Sequence, residues 1–206
     1  MPIKLQLHNN LEFYEYDSIK DIPKEFYLQI KVFKCNDCNL DNIDFIANFI
    51  NLQKLNASNN KIKIIPIVSN IEEIEIYNNE LEELPPINNL KKLYAFNNKL
   101  KSLPILPNLK IIDVSHNKIL KIILEEKIEK IYISYNKLVK IEIKGNNVEE
   151  LECNNNLLMD INFIHGLYKL KKFNYDYNQI KSIPINIKRY LNNSGNIYTL
   201  EKCSLN

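Results

Sequence analysis

One spacing recurs along almost the whole chain. In Leu90–Leu100 (LKKLYAFNNKL) apolar residues hold the first, fourth, sixth and eleventh places and an asparagine holds the ninth. The same frame fits Ile30–Leu40, Leu52–Ile62, Ile71–Leu81, Leu109–Ile119, Ile128–Leu138, Val148–Leu158 and Leu170–Ile180, with Cys38 at the ninth place of the first copy. Recurrence at a fixed period marks a solenoid, in which each unit buries its apolar side against its neighbours. In a strand, alternation sends the fourth and sixth places inward and the fifth and seventh outward.

After the strand the backbone must turn into the body, burying amide and carbonyl groups that have no ladder partner. Each would cost about 1–3 kcal/mol if left unsatisfied. An asparagine side chain both donates and accepts, so it can serve its own turn and the adjacent one. Asn60, Asn79, Asn98, Asn117, Asn136, Asn156 and Asn178 are therefore expected to form one inner ladder.

This pattern resembles that of the leucine-rich-repeat family. The resemblance implies an α/β-type repeat solenoid, predominantly β, curved into an arc with a parallel concave sheet and a thin, mostly extended convex side. It also implies a recognition scaffold rather than a catalyst. Repeat starts at residues 30, 52, 71, 90, 109, 128, 148 and 170 leave little chain for the convex side in the middle units. There the return segments Ile65-Pro66-Ile67, Leu84-Pro85-Pro86-Ile87 and Leu103-Pro104-Ile105-Leu106-Pro107 should be extended, because proline cannot donate to a ladder. They resemble the short LPxLP-type units of bacterial secreted effectors.

The proline-free Asp41–Asn51 and Met159–Lys169 have room for a turn or two of helix, with Ile43, Phe45, Ile46, Phe49, Ile161, Phe163, Ile164 and Leu167 buried. These resemble the longer units of the phosphatase-regulator class. Ile122–Lys127 and Lys144–Asn147 show no regular pattern and are expected to be irregular.

A single domain is expected over residues 1–206: a cap and degenerate repeat over 1–29, eight repeats over 30–186 and a C-terminal cap over 187–206. Ile3–Leu7 and Leu11–Tyr16 read as a hairpin cap. The second of these also fits a degenerate repeat with Tyr14 at the sixth place. A further strand is expected to begin at Ile187, and Ile197, Tyr198, Leu200, Cys203 and Leu205 to fold back over the end.

Composition narrows the class. With 45% hydrophobic and 25% charged residues the chain reads as an ordinary soluble one, and a net charge of +2 gives no reason to expect direct nucleic-acid binding. No apolar run reaches the roughly 18 residues of a membrane span, and the N-terminus lacks a signal-peptide core, so an intracellular, cytoplasmic location is expected. Arg189 is the only arginine among many lysines, and isoleucine and asparagine abound. An A+T-rich genome writes such a bias, which points to a parasite, an amoebal microbe or a large DNA virus, with the host cytoplasm as the location if viral.

Cys35-Asn-Asp-Cys38 has the spacing of half a zinc or redox site, but Cys35 falls at an inward sixth place and Cys38 at a ninth. Both are expected to be buried structural thiols, as is Cys153, and no second half-site exists. His8, His116 and His165 lie on separate elements, and no phosphate loop, nucleophile elbow or HExxH motif occurs. No cofactor, metal or catalytic residue is expected.

On the outward places Tyr77, Tyr94, Phe96 and Tyr132 gather in mid-sheet, with His116, Tyr135 and Tyr177 along the rim. Strand propensity alone puts tyrosine in sheets. Rings on an open face are also the usual anchors of protein interfaces, and Phe96 has no polar tip to keep wet. The sequence thus points to a non-catalytic module binding a protein partner on its concave face, of unknown oligomeric state. The alternative is a constitutive subunit of an intracellular assembly, such as a particle or ribonucleoprotein, which would meet nucleic acid only indirectly.

Overall fold

The structure, a computed structural model, describes residues 2–8, 10, 12–188 and the backbone of Ile197–Tyr198. In chain order its strands are β1 (Ile3–Leu7), β2 (Tyr14–Tyr16), β3 (Ile30–Lys34), β4 (Lys54–Asn56), β5 (Glu73–Glu75), β6 (Lys92–Tyr94), β7 (Ile111–Asp113), β8 (Lys121–Leu124), β9 (Lys130–Tyr132), β10 (Lys140–Ile143), β11 (Glu150–Glu152), β12 (Lys172–Asn174) and β13 (Ile197–Tyr198). One sheet carries eleven of them in the order β13-β12-β11-β9-β7-β6-β5-β4-β3-β1-β2. From β3 to β13 every pairing is parallel. Near-constant unit length fixes the register: Leu55, Ile74, Leu93, Ile112, Ile131, Leu151 and Phe173 line up side by side.

These fourth-place residues are buried, as are the sixth-place Cys35, Ala57, Ile76, Ala95, Val114, Ile133, Cys153 and Tyr175 and the eleventh-place residues from Ile62 onward. The core is thus a stack of equivalent layers running the length of the arc. On the convex side the units starting at 52, 71 and 90 return in extended chain, and the two longer units carry 3₁₀ turns, at Asp44–Asn48 and Asn162–Ile164. Phe45 and Phe163, expected inside, are only half-buried.

At the N-terminal end β1 runs antiparallel to both its neighbours, β2 and β3. The expected hairpin is there. The degenerate repeat does not stack on the first full one, because β1 lies between them. Tyr14 instead packs half-buried against Phe26, with ring centroids 5.6 Å apart.

Two further expectations are corrected. Ile122–Lys127, expected to be irregular, begins within β8, which pairs in parallel with β10 in a small convex sheet, Lys121 opposite Lys140 and Leu124 opposite Ile143. Without proline these segments keep their N–H donors, and the alternation of exposed Lys121 and Ile123 with buried Ile122 and Leu124 suits a half-buried strand. Lys144 N–H then donates to Leu124 C=O, and the chain passes so close that a Cβ on Gly145 would sit 2.3 Å from the Glu126 carbonyl oxygen.

At the other end, Ile187 lies in a helical turn over 185–188, closed by Lys188 N–H on Pro184 C=O. Pro184, whose carbonyl accepts that bond, caps the turn, so no strand begins at Ile187. Tyr198 of β13 stands opposite the fourth-place Phe173. The side chains of the expected C-terminal cap lie outside the described residues.

Candidate binding face

Local geometry first explains why one row is asparagine. Asn98 Nδ2 donates to the carbonyls of Ala95 and Phe96 in its own unit (3.1 and 3.3 Å) and of Ile76 in the preceding one (3.0 Å). Its Oδ1 accepts from Leu81 N–H at 3.0 Å. The same four bonds, shifted by one unit each time, recur at Asn79, Asn117, Asn136, Asn156 and Asn178. Asn60 makes them and also accepts from Cys38 N–H. Cys38 itself is half-buried rather than buried, because β1 is reversed and offers it no preceding turn.

A second amide row, missed in the sequence, precedes each unit. Asn51, Asn70, Asn89, Asn108 and Asn147 donate through Nδ2 to Leu28, Ile50, Ser69, Asn88 and Glu126 carbonyls. Where lysine replaces asparagine, Lys127 and Lys169 reach Asn108 and Asn147 instead. The signal was present, an asparagine one residue before the first apolar place.

On the concave face the third places hold two Lys–Glu–Lys rows. Glu73 lies between Lys54 and Lys92 (3.4 and 3.5 Å), and Glu150 between Lys130 and Lys172 (2.7 and 3.3 Å). Ile111 separates the rows. Tyr132 donates its hydroxyl to Glu150 at 2.7 Å. The hydrogen bond from Lys130, followed by that from Tyr132, holds the Glu150 carboxyl down to about 2. Burial, then the bond to Glu150, pushes the Tyr132 hydroxyl up.

The expected site residues form three groups on this face. Tyr77 and Phe96, adjacent at the seventh place, stack with centroids 4.5 Å apart and planes 5° from parallel, and Tyr94 is two residues from Phe96 on the same surface. All three rings are half-buried, as is Tyr132 beyond them. On the rim His116 and Tyr135 stack at 4.3 Å and 9°. Tyr177 stands apart, with Asn155 between it and Tyr135 in the row.

The rim is also where the backbone turns. Every eighth-place residue is left-handed, from Asp37 (φ 57°) through Asn59, Asn78 and Asn97 to His116, Tyr135, Asn155 and Tyr177 (54°). Asparagine and aspartate visit this region readily, whereas a tyrosine there is uncommon and strained.

A hollow of about 410 Å3 lies at the N-terminal end of the face, lined among others by His8, Phe13, Lys34, Lys54, Asn56 and Glu75. Lys34 Nζ sits 4.6 Å from the Phe13 ring centroid. Asn56 donates to Glu75 at 2.7 Å, and burial followed by the nearby Glu73 charge pushes the Glu75 carboxyl up. No sequence signal foretold this hollow, since it depends on His8, Asn10 and Phe13 lying over β3 and β4. Among the described residues no three His, Cys, Asp or Glu side chains gather as metal ligands. Cys35 and Cys153 are buried thiols whose burial pushes their pKa up.

The repeating layers, the parallel concave sheet and the amide spine give the chain the architecture of a leucine-rich-repeat arc. Family models for leucine-rich repeats match residues 88–126, as two copies, and 51–70. Among solved structures the chain is similar to YopM, a leucine-rich effector protein from Yersinia pestis (30% identity over 65% of this chain and 40% of that one, TM-score 0.59). It is also similar in fold to TLR13 in a complex with ssRNA13 (22% identity, 74% of this chain and 25% of that one, TM-score 0.59). The chain thus spans less than half the length of either. No curated protein matches it in sequence. No helix among the described residues is long and apolar enough to cross a membrane.

Proposed function

We propose that the protein is a non-catalytic recognition module that takes a protein partner on its concave face. The Tyr77–Phe96 stack and Tyr94 form the centre of the contact, Tyr132 its far side and His116, Tyr135 and Tyr177 its rim. The observation that carries this reading is the stack itself: Phe96, which has no polar tip, lies half-buried against Tyr77 on the open sheet. These rings offer contact area to a partner, and rigid aromatic rings do so at small entropic cost.

The likeness to an effector, together with the proline-bearing return segments Leu84–Ile87 and Leu103–Pro107, supports a module of the short-unit kind that acts on another protein. Double substitution of Tyr94 to Ala and Phe96 to Ser tests the site. The variant is expected to unfold at the temperature of the parent and to lose its partner in affinity capture from the native cells. Capture at the parental level would move the contact off this patch. Gel filtration of native extract decides between adaptor and constitutive subunit: a stoichiometric high-mass peak means subunit, and a largely free pool means adaptor.

A further inference from the structure

The edge where the turns leave the concave strands changes character halfway along the arc. In the units starting at 52, 71 and 90 its eighth, tenth and twelfth places are polar throughout, and they are largely paired with one another. Asn78 donates to Asn59 and Asn97 to Asn78 (2.6 and 2.8 Å), Lys99 pairs with Glu80 at 2.8 Å and Lys101 with Glu82 at 2.7 Å. From the unit starting at 109 the twelfth place becomes Leu120, Val139 and Met159, which are 53%, 46% and 68% exposed.

These three residues lie in neighbouring turns. Val139 N–H donates to Leu120 C=O, Lys137 N–H to Ile119 C=O and Leu157 N–H to Leu138 C=O. Beside the column stand Lys118, Lys121 and Lys137, all exposed, and none of them has an ion pair among the described residues. Scattered exposed apolar side chains need no explanation, but an aligned column fringed by unpaired cations does.

We propose that this edge is a second docking strip, separate from the concave patch, and that its occupant is an acidic amphipathic helix of a partner protein. Neighbouring turns of a solenoid repeat every 4.7–4.9 Å, roughly the 5–6 Å that separates side chains at i and i+3 or i+4 on a helix. An apolar stripe at that spacing follows Leu120, Val139 and Met159, while carboxylates flanking the stripe meet Lys118, Lys121 and Lys137. A column one side chain wide suits a helix better than it suits insertion into a bilayer.

The test uses the full chain and a fluorescein-labelled synthetic helix carrying leucines at i, i+3, i+4 and i+7 with glutamates on both flanks. Anisotropy is expected to show binding that weakens about tenfold or more on Val139→Asp, and similarly on combining Lys118→Glu with Lys137→Glu, a loss equal to about 1.4 kcal/mol per decade. All three sites are exposed, and an unchanged melting temperature shows that the variants are folded. Replacing the probe's glutamates by glutamine is expected to abolish binding, and Tyr94→Ala with Phe96→Ser to leave it intact, so this strip and the concave reading fail separately. Equal binding of the glutamine probe, or of the parent and Val139→Asp chains, would overturn the proposal. So would binding of phosphatidylserine vesicles that is sensitive to Val139→Asp in a chain that ignores the helix, or self-association through this edge.

Discussion

The ninth-place spine and the eighth-place rim are one residue apart in every unit, yet they follow opposite rules. Along the spine the side chain must satisfy four backbone groups that face no water, and from Asn60 to Asn178 only asparagine occurs. Along the rim the backbone asks only for a left-handed residue, and the row drifts from Asn59, Asn78 and Asn97 to His116, Tyr135, Asn155 and Tyr177. Asparagine is the comfortable choice there, so each tyrosine carries a conformational cost that nothing in the fold requires. Monotony therefore marks the structural row, and costly departure marks the row with something else to do.

Asn98→Ala should break the contrast most severely. The buried Leu81 N–H loses its partner and the carbonyls of Ile76, Ala95 and Phe96 each lose one of their two donors, and a loss of about 3 kcal/mol is expected, read as a lower urea midpoint. A smaller effect is expected on the concave floor. Because the Glu150 carboxyl titrates near 2 in the folded chain against an ordinary value of 4.5, its stabilisation is full above that value and fades as pH falls towards 2. Acid unfolding of Glu150→Gln should accordingly lack part of the stability loss that the parent shows in that window.

Tyr177→Asn sharpens the contrast in the other direction. It should raise stability by about 0.5–1 kcal/mol, by relieving a left-handed tyrosine, while weakening partner capture. A melting temperature that falls would show that the ring supports the fold. Least of all, Asn89→Ala removes one exposed bond from the outer amide row and should cost about 0.5 kcal/mol, within reach of careful denaturant titration.

The repeat, the inward places and the concave position of the rings were legible because a period-two strand set in a fixed unit length leaves no freedom at Leu93, Ala95 or Asn98. The convex sheet was not. Lys121–Leu124 and Lys140–Ile143 are too short for alternation to announce a strand, and each is stabilised by the other 19 residues away. Ile187 misled for a local reason: the apolar frame fits there, but Pro184 opens a helical turn first. Charge is a third case: the lateral pairs Glu72–Lys91 and Glu149–Lys171 follow from the unit length, whereas those along the outer edge did not show in the sequence. Ion pairs such as Lys99–Glu80 exist only once the units are stacked.

The reversed strand β1 sets a direction for how such a chain can lengthen. By lying antiparallel along β3 it occupies the side where another parallel unit would have to dock, so duplication cannot proceed outward from that end without dislodging the hairpin. On that side a copied block can enter only between existing units. The span from residue 71 to 109, where two successive starts are 19 residues apart, would accept one with both amide rows still in phase.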